Sequence, residues 1–115
     1  MITLYGIKNC DTVKKARRWL EYNSIDYHFH DFREQGISES LVQGWLKQCP
    51  LEKLVNKRST SWKQLDETER ERLSAETAPA LCCQYETLIK RPVLDMDGTI
   101  TVGFSEKNYQ TLFNR

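Results

Sequence analysis

Residues 2–32 read ITLYGIKNCDTVKKARRWLEYNSIDYHFHDF, and the rest of the fold follows from how this stretch is parsed. Ile2 to Ile7 is short, apolar and rich in β-favouring residues, which predicts a buried strand. A polar turn follows, Lys8-Asn9-Cys10-Asp11-Thr12. Val13, Ala16 and Leu20 then recur at i, i+3 and i+7 with Trp19 beside them, the signature of an amphipathic helix that Asn23-Ser24 ends. Tyr27 to Phe32 alternates aromatic and polar residues, as a second strand does. A β-α-β unit this short requires a crossover, so the two strands are expected to be parallel.

The far end of the chain carries the complementary signal. Val93–Met96 and Thr99–Val102 flank Asp97-Gly98, a strong hairpin pattern. Ser105 is placed to cap a last helix that buries Tyr109, Leu112 and Phe113. Between the ends the chain reads as helical. Ser38 is a plausible N-cap, Leu41, Val42, Trp45, Leu46 and Cys49 form one stripe, and Pro50 stops it. Leu51 to Val55 reads as a short helical turn and residues 56–61 as a polar loop. Asp66 to Arg72 reads as a solvated helix face, and Ala78 to Ile89 as a further helix. With 115 residues, no repeat and no linker, a single domain is expected, with its core at about 1–33 and 86–115 and a helical insert at about 34–85.

Composition narrows the function. A net charge of +1 gives no field for nucleic acid or an anionic membrane. No apolar run is long enough to span a bilayer, and the first residues enter a strand without a secretory pattern, so a cytoplasmic protein is expected. The four cysteines, Cys10, Cys49, Cys82 and Cys83, form no Cys-x-x-Cys pair, and with only His28 and His30 beside them no metal spacing is convincing. Cys49 and Cys82 fall on apolar stripes and read as small core residues, whereas Cys83 lies off the stripe.

Cys10 differs, because it stands between the end of a strand and the start of a helix. There the first amide N–H groups lack intrahelical partners and the macrodipole is positive, and both favour thiolate over thiol. Lys8 and Lys14 act in the same direction and Asp11 against it. Lys8, Asn9, Thr12 and Lys14 around it are candidate substrate-binding residues. Pro92 opens a strand after Arg91, where an X-Pro bond can be cis or trans. Arg58 and Arg91 lie in polar segments, and guanidinium groups suit carboxylates and oxyanions.

The segment from Tyr5 to Ala16, together with Leu88 to Val93 and Val102-Gly103-Phe104-Ser105, resembles the arsenate-reductase-like (ArsC/Spx) family, and within it the YffB-like branch. The resemblance implies a thioredoxin-like α/β fold: a β-α-β plus β-β-α core with a mixed four-stranded sheet and a helical insert. It implies that Cys10 is the nucleophile, that Pro92 is a cis-proline opposite it, and that Arg58 and Arg91 are anion-binding. Two departures matter. The arsenate reductases carry a third arginine where this chain has Phe104, which weakens the case for arsenate. The Cys-x-x-Cys switch of many Spx regulators is absent, because Val13 stands three residues after Cys10. The expected activity is that of a glutathione-dependent thiol reductase, with no bound cofactor, glutathione as co-substrate and resolving thiol, and glutaredoxin as a further candidate partner. Its substrate would be a small-molecule or protein disulfide. Arsenate reduction and a Spx-like, RNA polymerase-binding role without turnover are the alternatives. Whether Cys83 could serve as a resolving thiol stays open.

Overall fold

The computed structural model describes residues 1–115. The opening is β1 (Ile2–Gly6), α1 (Asp11–Tyr22) and β2 (His28–Asp31), and a single helical turn, α2 (Phe32–Gln35), follows. The chain continues through α3 (Glu39–Leu46), α4 (Leu51–Leu54), α5 (Thr60–Gln64), α6 (Glu67–Glu71), α7 (Ala78–Gln84) and a 3-10 turn at Glu86–Leu88. It closes with β3 (Val93–Met96), β4 (Thr99–Val102) and α8 (Glu106–Phe113). Two compact units result: residues 1–32 with 91–115, and residues 33–90.

In the first unit the sheet order is β2-β1-β3-β4. β1 runs parallel to β2, with Leu4 opposite Phe29, and antiparallel to β3, with Tyr5 opposite Val93. β3 and β4 are antiparallel. This mixed four-stranded sheet with its βαβ and ββα halves is the thioredoxin-like arrangement. Between β3 and β4, Asp97 (φ 52°) and Gly98 (φ 96°) both take positive φ, as a two-residue hairpin turn of matching twist requires. The Asp95 carboxylate accepts the Gly98 amide at 2.7 Å.

The core of this unit forms where α1 and α8 meet the central strands. Leu4, Ala16, Trp19, Leu20, Leu94 and Tyr109 are buried together. Each fully buried leucine contributes about 1.5–3 kcal/mol. Tyr109 takes edge-on contacts from Phe104 at 4.7 Å and from Trp19 at 5.5 Å. At the outer edge Arg17 of α1 donates to the Tyr27 hydroxyl at 3.0 Å and lies 4.2 Å over the Phe29 ring, fixing the helix to its return strand. Ser105 caps α8 by accepting the Asn108 amide at 3.1 Å.

After β2 the sequence reading holds with three corrections, two in the second unit and one at Phe32, the last residue of the first segment of the first unit. First, the apolar pattern from Ala78 to Ile89 does not form one helix. α7 stops at Gln84, and Tyr85 leaves helical φ/ψ. Ile89 instead bridges Val55, with the Lys90 amide donating to the Leu54 carbonyl at 2.7 Å and the Asn56 amide to the Leu88 carbonyl at 2.6 Å. Extended pairing wins over helix propensity because it satisfies the backbone of two otherwise open segments at once. Second, the expected loop at 56–61 ends early: the Ser59 hydroxyl accepts the Trp62 amide at 3.1 Å and starts α5 at Thr60. Third, Phe32 ends its strand reading by entering α2, although its buried ring still packs against Tyr5 at 6.4 Å. α6 is capped reciprocally by Asp66 and Glu69 and has no buried residue, consistent with a solvated face.

Cys82 is fully buried in α7, and burial, with the neighbouring Cys83 as a smaller cause, pushes its thiol up to about 12. The unfolded chain releases this proton from about pH 8.5 upward. Between there and about pH 12 the folded state holds one more proton than the unfolded state. Stability is therefore expected to fall with rising pH across this window, by up to about 1.4 kcal/mol per unit from this residue. Urea unfolding near pH 8 and near pH 10 checks it: Cys82→Ala should show the shallower loss.

Candidate functional site

The candidate site of the first unit is placed by strand register. β1 leads through Ile7 into the turn that carries Cys10, and β3 starts next to the same end of β1, because Tyr5 pairs with Val93. The turn at Cys10 and the Arg91-Pro92 pair therefore emerge at one end of the sheet. The Arg91–Pro92 peptide bond is cis, as the family resemblance implied. The Gly103 amide donates to the Pro92 carbonyl at 2.8 Å, which brings Gly103 and Phe104 to this end as well. Gly103 takes a φ of 83°, a conformation that favours glycine.

Gly6 fixes how closely α1 approaches the sheet here. A Cβ on it would lie 2.8 Å from Cγ2 of Val13, so the strand and the first turn of the helix are in direct contact. Cys10 is the N-cap residue of α1, with extended φ/ψ, and its carbonyl accepts the Lys14 amide at 2.9 Å. Its side chain makes no capping hydrogen bond. The residue is half-buried, at the start of the helix. Lys8, Asn9 and Lys14 are exposed around it and Thr12 is half-buried. Asp11, the first helical residue, is also exposed.

Arg91 supplies the feature that sequence reasoning did not foresee. Its Nε and Nη1 are buried, and no group of the chain accepts a hydrogen bond from them. Leaving a buried donor unpaired costs about 1–3 kcal/mol, and more for a charged group. Arg91 is therefore a candidate for binding an anionic ligand.

Arg58 belongs to the second unit and is described within it. The Asn56 side-chain oxygen accepts the Arg58 amide at 3.0 Å, an Asx turn that orients the loop. Arg58, Lys57 and Lys90, with Asn56 and Glu52, line a cavity of about 500 Å³. Three cations against one carboxylate make this an anion-favouring cavity, and Lys57 and Lys90 are members that the sequence did not single out.

The other thiols are more protected. The Cys49 thiol donates to the Trp45 carbonyl at 3.2 Å, and that of Cys83 to the Ile37 carbonyl at 3.3 Å. Burial pushes both thiols up, and Glu39 adds to the rise at Cys83. No group of three or more His, Cys, Asp or Glu side chains is arranged to hold a metal ion. No helix is long and apolar enough to cross a membrane.

A family model, described as the ArsC family, matches residues 5–112. The chain belongs to the ArsC family. It is 46% identical over 113 residues to an uncharacterized protein of Haemophilus influenzae, covering 98% of this chain and 99% of that one. The solved structure of a YffB protein superposes with a TM-score of 0.92 at 36% identity, covering 96% and 97% of the two chains. The family also reaches regulators: Spx 2 of Lactococcus lactis is 25% identical over 117 residues, covering 100% of this chain and 88% of that one.

Proposed function

We propose that this ArsC-family protein is a glutathione-dependent thiol reductase with Cys10 as its single nucleophile. The observation that supports this reading best is the pair of buried, unpartnered guanidinium nitrogens, Nε and Nη1 of Arg91, at the end of the sheet where Cys10 emerges. Glutathione is an anionic peptide, and its carboxylates are natural acceptors for such a group.

The chemistry balances with glutathione alone. The Cys10 thiolate attacks the glutathione sulfur of a mixed disulfide R–S–S–G. A Cys10–S–S–G disulfide forms, the RS–SG sulfur–sulfur bond breaks, and RS⁻ leaves and takes up a proton from water. The thiolate of a second glutathione then attacks the glutathione sulfur of that adduct. Oxidised glutathione leaves and the Cys10 thiolate is regenerated. Across both steps, R–S–S–G and one glutathione become R–SH and oxidised glutathione. Lys8 and Lys14 offer cationic side chains, and Asn9 and Thr12 polar ones, to the bound tripeptide. Pro92 has no N–H and its carbonyl already accepts Gly103, so the backbone groups of Arg91 are those left to pair with a peptide ligand. The Arg58 cavity would take an anion in the same way.

The test is steady-state turnover of the mixed disulfide of glutathione and 2-mercaptoethanol, with glutathione as reductant. Arg91→Met is expected to raise KM at least about tenfold, because a charge-assisted pair is lost. The same substitution is expected to raise the stability of the unliganded protein by about 1 kcal/mol, because it removes an unpaired buried charge. Equal turnover in both proteins would refute the role of Arg91. Absence of turnover in the unsubstituted protein would refute the reductase reading.

One comparison favours a second reading. The Spx likeness spans the whole chain, so a polymerase-binding role without turnover competes. Binding to RNA polymerase that persists in Cys10→Ser, together with no disulfide turnover, would support it. Arsenate reduction is the weaker alternative, because Phe104 packs against Tyr109 at the place where the resemblance calls for a third arginine.

A further inference from the structure

The outer side of α1 carries a groove of about 510 Å³ lined by Lys15, Arg18, Trp19, Tyr22, Phe104 and Glu106. Lys15, Arg18, Trp19 and Tyr22 stand at i, i+3, i+4 and i+7, so they share one helical face. The opposite wall is the junction of β4 and α8, where Phe104 and Glu106 flank the cap Ser105. Cys10 lies elsewhere on the helix, since the N-cap is five residues before Lys15 and well around the axis from it.

Three observations point to a ligand. Tyr22 is 89% exposed, one of only two large apolar side chains so placed. The floor is a rigid aromatic cluster, because Trp19 and Phe104 both pack edge-on against buried Tyr109. Lys15 and Arg18 are paired with no carboxylate of the chain, and with exposed Lys14 beside them they make this side of α1 basic despite Glu106. Rigid aromatics beside unpaired cations are the composition of a protein-docking hot spot.

We propose that this groove docks an acidic segment of a protein partner. One aromatic or branched apolar side chain seats between Trp19, Tyr22 and Phe104, and flanking carboxylates meet Lys15 and Arg18. Charge complementarity selects this occupant: a basic or neutral segment would leave both cations unanswered. The long open side and the projecting Tyr22 suit a side chain presented by a partner surface. This surface does not depend on thiol chemistry at Cys10.

The experiment uses the full chain carrying Cys10→Ser, so that failure of the reductase reading leaves it untouched. Amide and indole NMR shifts are followed while acetyl-Glu-Leu-Phe-Asp-amide or acetyl-Lys-Leu-Phe-Lys-amide is added to about 5 mM, a range that reads single-anchor contacts. The acidic peptide is expected to move Lys15, Arg18, Trp19 with its indole N–H, Tyr22 and Phe104, and to bind at least about fivefold more tightly than the basic one. The double variant Lys15→Glu with Arg18→Glu should reverse that preference, and Tyr22→Ala should weaken both peptides. No saturable shift in the groove, shifts scattered elsewhere, or a preference indifferent to the charge reversal would overturn the proposal. Concentration-dependent shifts of the same residues without peptide would also overturn it, by assigning the groove to a second copy of the chain.

Discussion

Replacing Cys10 with serine is expected to lower glutathione-dependent disulfide turnover at least about a thousandfold, with a melting temperature within about 3 °C of the original. The loss is large because serine is not ionised at neutral pH and forms no disulfide. The stability change is small because the Cys10 side chain is half-exposed and caps nothing. None of the remaining cysteines is expected to substitute. Cys82 is sealed in α7 with its thiol pushed up to about 12. Burial raises Cys49 and Cys83, and each thiol already donates to a carbonyl. Coupled turnover at matched protein concentration checks the first half, and a thermal melt checks the second.

Gly6→Val is expected to cost about 3 kcal/mol and to slow the reaction of Cys10 with alkylating reagents as well. The first added carbon would stand 2.8 Å from Val13, and valine adds two more atoms behind it. Val13 is fully buried in the first turn of α1, so it has nowhere to retreat and the helix start must move with it. That movement displaces the N-cap that holds Cys10. Gly44→Ala is the control. Nothing lies within 4 Å of a Cβ at Gly44, and in α3 the exchange is expected to stabilise by about 0.5–1 kcal/mol. Denaturant midpoints and alkylation rates of the two variants separate a local clash from a general intolerance of glycine replacement.

The ends of the chain were legible in the sequence because their signals are local. The apolar period of Val13, Ala16 and Leu20, the Asp97-Gly98 turn and the Ser105 cap each act within a few residues, and each formed the expected element. The middle was less legible because its decisive contacts are non-local. Ile89 fits a helical stripe by spacing, yet the bridge to Val55 claims it, and nothing near Ile89 announces a partner 34 residues earlier. Ser59 was readable as a cap by the same rule that identified Ser38 and Ser105, and α5 was missed because the polar run around it reads as a loop.

At the site, Cys10 could be singled out because its position between strand and helix is itself a chemical property. The state of Arg91 could not: burial of two guanidinium nitrogens without an acceptor is visible only once the chain is folded. The same holds for Lys57 and Lys90 beside Arg58, which are ordinary surface charges until the loop brings them around one cavity. Phe104 stood out only as a departure from the family pattern, and its packing against Tyr109 gives that departure a structural meaning.

The most direct measurement of the single-thiol account is mass spectrometry of the full chain after exposure to oxidised glutathione, followed by peptide mapping. One glutathione per chain, carried on Cys10 and removed by added glutathione, is the predicted result. A disulfide between Cys10 and another cysteine of the chain, or modification that spares Cys10, would contradict it.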